Sequence, residues 1–152
     1  MKPLRLVILS AIILASCKQK TTDLHAAVTT LNGTWKLVSA VTITKGDTVK
    51  DYPVPNQEMI KILNDTHFAF MRHDLGKGKG KDSTYTAGGG TYTLKDNKYT
   101  EHLDYLNYRG WEGRSFDFTV QFKNDTLIQK GIEKIDSLKI NHEIVETYVK
   151  IK

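Results

Sequence analysis

From Gly33 to the end of the chain, apolar and polar positions alternate, and the 3.6-residue spacing of an amphipathic helix is scarce. Along residues 33–44, Trp35, Leu37, Ser39, Val41 and Ile43 form one row, with Lys36, Val38, Ala40 and Thr42 on the other. "KGD" then turns the chain, and Val49 to Tyr52 returns as a short strand ended by Pro53 and Pro55. "EMIKIL" and "THFAFMRHD" flank Asn64-Asp65, a tight-hairpin signal. The segment from Gln57 to Leu63 also fits a helical turn. "TYTAGGGTYTL", "YTEHLDYLNY", "SFDFTVQF", "LIQKGI" and "HEIVETYVKIK" follow, separated by turn clusters such as "KDNK" and "KNDT". The pattern predicts an all-β domain of about eight strands with short hairpin connections, as an up-and-down barrel or a sandwich. Gly88, Gly89 and Gly90 fall in mid-strand, where glycine permits a sharp bend and close approach of another backbone.

The amino terminus, "MKPLRLVILSAIILASC", has a different pattern. Lys2 and Arg5 precede an apolar run from Leu6 to Ala15, then small residues and Cys17. That is the layout of a secretory signal, with a run about half the length of the ~20 residues needed to span a membrane. Leu14-Ala15-Ser16-Cys17 resembles the lipobox of bacterial lipoproteins. The resemblance implies removal of residues 1–16, acylation of Cys17 and membrane anchoring; two or more acyl chains hold a protein stably. Cys17 is the only cysteine, so no intrachain disulfide is available. Residues 17–31 lack sustained periodicity and read as a tether, leaving 32–152 as one domain. Lys18 follows the cysteine where inner-membrane retention is associated with aspartate, and no acidic run follows. The expected location is therefore the outer membrane, on its periplasmic face.

Composition mainly excludes. Loss of Lys2 and Arg5 with the signal takes the formal charge from +5 to +3, with the bases scattered, which does not favour nucleic acid. The loop "LGKGKGKDS" lacks phosphate-loop spacing and reads as a flexible solvated loop, with contact to anionic lipid headgroups as the alternative. His67 and His73 lie about 20 Å apart along an extended strand, so they do not form a metal site on their own. No metal, cofactor or catalytic constellation emerges, and the domain reads as non-enzymatic. Asp47-Thr48-Val49, Asp82-Ser83-Thr84, Asp125-Thr126-Leu127 and Asp136-Ser137-Leu138 resemble the O-glycosylation motif of Bacteroidota, but Asp-Ser/Thr is also ordinary turn chemistry.

"GTWKLVSA" resembles the Gly-x-Trp signature on the first strand of the lipocalins, and the opening strand of the fatty-acid-binding proteins in the same calycin group. "ETYVKIK" is similar to the last strand of such barrels. "THFAFMRHD" and "GGGTYTLKDNKYTEH" resemble small lipocalin-like lipoproteins of Bacteroidota. The resemblance implies a single up-and-down barrel whose floor is closed by Trp35, with Lys150 or Lys152 packed against it where lipocalins usually carry arginine. Residues 45–56 are too short and proline-rich for the helical lid of the fatty-acid-binding proteins, so the mouth should be open or covered by loops.

An eight-stranded barrel can enclose one small ligand. Strand alternation offers Phe68, Phe70 and Arg72 as lining from one strand, and Tyr92 from the glycine-rich one. Tyr99, Glu101 and Tyr105 share a face on the next strand, and Phe116 and Phe118 on the one after. With Trp35 these are the candidate lining. Arg72 and Glu101 each need a partner if buried: either they pair inside the barrel or hold a ligand's polar head, or they lie near strand ends and reach solvent. The expected role is binding or carrying a small hydrophobic or amphipathic molecule in the envelope. The alternative is an accessory module that acts on a protein partner through its loops.

Overall fold

A computed structural model describes residues 30–151. The signal segment, Cys17, most of the expected tether and Lys152 lie outside the described residues. Among the described residues there are nine strands and no α-helix. They are β1 (Gly33–Thr44), β2 (Asp47–Tyr52), β3 (Gln57–Leu63), β4 (His67–Asp74), β5 (Tyr85–Lys95), β6 (Lys98–Leu106), β7 (Arg114–Lys123), β8 (Thr126–Ile135) and β9 (Ile140–Lys150). Every pairing is antiparallel. From β3 onward each strand pairs with the next, and β9 returns to pair with β1. Eight strands thus close a barrel. β2 is an extra strand, paired with the second half of β1 while the first half of β1 pairs with β3. The up-and-down order follows from the tight turns, several of which place Asn, Asp or Lys at positive φ, including Asp96 and Asn124.

The segment Gln57–Leu63 is a strand, not a helical turn. β1 and β4 flank it on both sides, and their ladders take its backbone groups. Two bulges reset which side chains point inward. On β1, Val38 is the extra residue opposite β9: Leu37 and Ala40 are buried, while Val38 is exposed. The expected row Trp35, Leu37, Ser39, Val41, Ile43 is therefore broken after Leu37. On β6, Asp104 is the extra residue opposite Gly89 and Gly90, so Leu103 and Leu106 point inward and Tyr105 does not.

Gly90 makes the second bulge possible. A Cβ there would sit 1.9 Å from the carbonyl oxygen of His102, a contact no side chain can make. The expected close backbone approach at the glycine run is present. The core is a single cluster that runs from Leu31, Trp35 and Leu127 through Tyr99, Phe118 and Tyr148. Leu31, assigned to the tether on sequence grounds, is only 1% exposed and belongs to the barrel.

Candidate functional site

One end of the barrel is closed. Trp35 is 2% exposed, and its indole Nε1–H donates to the Leu31 carbonyl oxygen at 2.7 Å. Lys150 Nζ lies 5.3 Å from the centroid of the Trp35 ring system. Lys150 therefore takes the basic position offered to Lys150 or Lys152. Phe122 packs against Trp35, with ring centroids 6.3 Å apart, and Tyr92 seals the neighbouring turn by donating to the Asn64 carbonyl oxygen at 2.6 Å.

Above this floor a charged side chain crosses the barrel. Lys61, on β3, is 3% exposed. Its ammonium donates to Glu101 Oε1 on β6 at 2.6 Å and to Gln129 Oε1 on β8 at 3.0 Å. The rings of Phe68, Tyr99 and Tyr148 surround it at 5.5, 5.7 and 5.5 Å. A buried ammonium is tolerable only with such partners. Tyr99 Oη is buried with no partner at full hydrogen-bond geometry among the described residues, and burial, reinforced by the nearby Glu101 carboxylate, pushes that hydroxyl far above its ordinary range.

Two further carboxyls face inward from β8 and β9. Burial holds Glu146 above the usual carboxylate range, against the opposing pull of Lys61 and of the Tyr148 hydroxyl, which donates to Glu146 Oε2 at 2.7 Å. Burial likewise raises Glu133, opposed by His142, whose Nε2 lies 2.9 Å from Glu133 Oε2. Each shift reflects the cost of keeping an anion in an apolar surround.

These groups border a cavity of about 480 Å³. Its inner end is polar, formed by Lys61, Glu101, Gln129 and Glu146. Its waist is apolar, formed by Met59, Phe70, Leu103, Phe116, Phe118 and Ile144. Arg72, Thr86, Tyr108 and Trp111 stand at the other end. A 3-10 turn at Arg109–Trp111 borders that mouth, contributing Trp111 to the lining. Glu112 braces it, accepting from the Leu106 backbone N–H at 2.8 Å and from Arg109. A second turn at Asp136–Leu138 meets it: a methyl placed on Gly110 would lie 3.4 Å from the Leu138 side chain. The mouth is thus partly covered by loops.

Residues 30–152 match the family described as "Domain of unknown function (DUF4488)". The chain belongs to this DUF4488 family. No curated protein matches it. The crystal structure of an uncharacterized protein from Bacteroides eggerthii DSM 20697 is similar, with 15% identity and a TM-score of 0.46 over 79% of this chain and 98% of that one.

In this DUF4488 domain the expected lining residues separate into three groups. Phe70, Arg72, Glu101, Phe116 and Phe118 border the cavity. Trp35, Phe68, Tyr92 and Tyr99 point inward but form the floor and the packing around Lys61. Tyr105 is 70% exposed on the outer face, because the Asp104 bulge inverts the alternation before it is reached. Arg72 and Glu101 do not pair with each other. Glu101 is taken by Lys61, while Arg72 Nε donates to Gln57 Oε1 at 2.8 Å and its guanidinium lies 5.8 Å from the Tyr52 ring.

Lys61, Gln129, Glu133 and Glu146 are the site residues that sequence reasoning missed. Hairpin register offered a signal for Lys61: it lies directly opposite Phe70, a residue already assigned inward. His67 and His73 lie on the outer face, exposed. Among the described residues, no group of three or more His, Cys, Asp or Glu side chains is placed to hold a metal. The lysine–glycine loop after β4 contributes no residue to the cavity lining and is hung on Asp74, which accepts from the Gly78 and Thr84 backbone N–H groups at 3.0 Å each. Those bonds hold the Asp74 carboxyl below its ordinary range.

Proposed function

We propose that this barrel binds or carries a small amphipathic molecule in its cavity, in the cell envelope. One observation carries the reading: a cavity of about 480 Å³ with an apolar waist and a buried polar inner end. That volume lies within the range of small-molecule sites, which pair apolar walls with a few placed polar groups. A domain acting only through its loops has no need of a hollow core, nor of charged groups within it that cost stability. A closed eight-stranded barrel floored by a first-strand tryptophan under a last-strand lysine is also consistent with a lipocalin-like carrier. The envelope setting rests on the amino-terminal segment, whose likeness to a lipoprotein signal ends at Cys17. We read Cys17 as the acylated anchor, with the outer membrane as the surface.

The test compares native and denaturing mass spectra of a soluble form that begins after Cys17 and is exported and purified without denaturant. An adduct lost on denaturation, and reduced in Phe70→Trp and Phe118→Trp variants that fill the cavity, is the expected result. Bare polypeptide in every native spectrum, with no change in tryptophan fluorescence on adding lipids, would turn attention to a protein partner at the loops.

A further inference from the structure

The charges around the cavity do not balance. Glu101, Glu133 and Glu146 border it, against Lys61 and Arg72. Lys61 is committed to Glu101 and Gln129 and enclosed by three rings. Arg72 is held at the mouth, on a strand across the barrel from β8, by Gln57 and Tyr52. Glu133 is partnered by His142, whereas Glu146 faces the space from the β8–β9 wall with no lysine, arginine or histidine in ion-pair contact, among the described residues. Glu146 uses only Oε2, for Tyr148; its Oε1 has no hydrogen-bond partner among the described residues. The inner end thus holds an open carboxylate acceptor on Glu146 with no cation on it, and such an acceptor needs a donor. A ligand entering methyl-first would cover these groups and remove their water without replacing it.

We infer that the ligand is an organic ammonium with an apolar body, its charged nitrogen seated against Glu146 on the β8–β9 wall and its hydrocarbon in the Phe70–Phe116–Phe118 waist. This rests on the cavity-binding reading above and adds the ligand's chemical class. An ammonium supplies the donors that Glu146 lacks, and a charge-assisted bond inside a low-dielectric cavity is strong. The aromatic and aliphatic waist buries the attached chain.

The test titrates the full chain, purified as the cell makes it, with octylammonium, octanol and octanoate. The readout is the fluorescence of Trp111 on the cavity wall, with Trp111→Phe to show that the signal arises there. Octylammonium is expected to bind about tenfold or more tighter than octanol, the scale of one charge-assisted hydrogen bond. Glu146→Gln, which keeps the side chain's size, should remove most of that advantage, bringing the octylammonium-to-octanol affinity ratio close to one. Glu133→Gln, a second variant on the same wall, serves if the first does not fold, and should likewise lower the octylammonium-to-octanol affinity ratio. Equal affinity for octanol and octylammonium, tighter binding of octanoate, or an ammonium preference untouched by both variants overturns the inference but leaves cavity binding standing. Failure of all three probes to bind overturns both.

Discussion

Lys61 holds a full charge in the middle of the barrel, and its effect on stability depends on Glu101 remaining opposite it. Removing one member of a buried pair strands the other, which typically costs about 3–5 kcal/mol, whereas replacing both with apolar groups of similar size is often neutral or better. Lys61→Met should therefore destabilise strongly in urea unfolding, and Lys61→Met combined with Glu101→Leu should recover most of the loss. Additive losses in the double variant would count against the pairing. Glu146 behaves differently. Its carboxyl is raised above 4.5 chiefly by burial, with Glu101 and Asp51 adding to the rise and Lys61 and Tyr148 opposing it. Between the unfolded value and the raised folded one, the folded state holds more protons, so stability falls as pH increases through that window. Glu146→Gln should thus gain stability relative to wild type from about pH 4.5 upward, the unfolded carboxylate value, and show little gain below it. Chemical denaturation at a series of pH values checks this; a pH-independent difference contradicts it.

At the scale of elements, the β5–β6 pair shows how far alternation can be trusted. The face shared by Tyr99 and Glu101 was legible because both point inward. Tyr105 was misplaced because one extra residue, Asp104, shifts the parity, and a bulge leaves little trace in one sequence. The trace it left is on the partner strand, where the glycine run supplies the clearance. Gly90→Ala should cost about 3 kcal/mol or more, since backbone must move rather than a side chain. Tyr105→Ser, on the solvent face, should stay within about 0.5 kcal/mol. Thermal unfolding of the two variants side by side makes the comparison. Similar losses would mean that the bulge is not where the strain falls.

At the scale of the molecule, closure of β9 onto β1 produces an interior with distinct ends. Trp35, Leu31 and Lys150 shut one, and two touching 3-10 turns partly cover the other. A ligand that binds only the folded barrel stabilises it by mass action, by about 2.7 kcal/mol at a hundred times its Kd. Octanol or octylammonium at that ratio should raise the melting temperature of wild type, and the same concentration should do far less for Phe118→Trp. An equal rise in both would place binding outside the cavity.

What the chain determined by itself is the local part of this architecture. Period-two alternation, β-branched and aromatic strands, and Asn/Asp turns set an all-β hairpin series with Trp35 on the first strand, because these signals act over a few residues. The inward aromatics Phe68, Phe70, Phe116 and Phe118 were legible for the same reason. Only the tertiary structure decided the polar interior. Lys61 sits between Ile60 and Ile62, so local hydrophobicity argues as well for burying the isoleucines, yet Ile62 is 40% exposed and Lys61 is not. The choice was made by register against β4, by the acceptors that Glu101 and Gln129 bring from β6 and β8, and by closure of the barrel, which places those three side chains together. Contacts 40 and 68 residues apart along the chain leave no periodic mark on it.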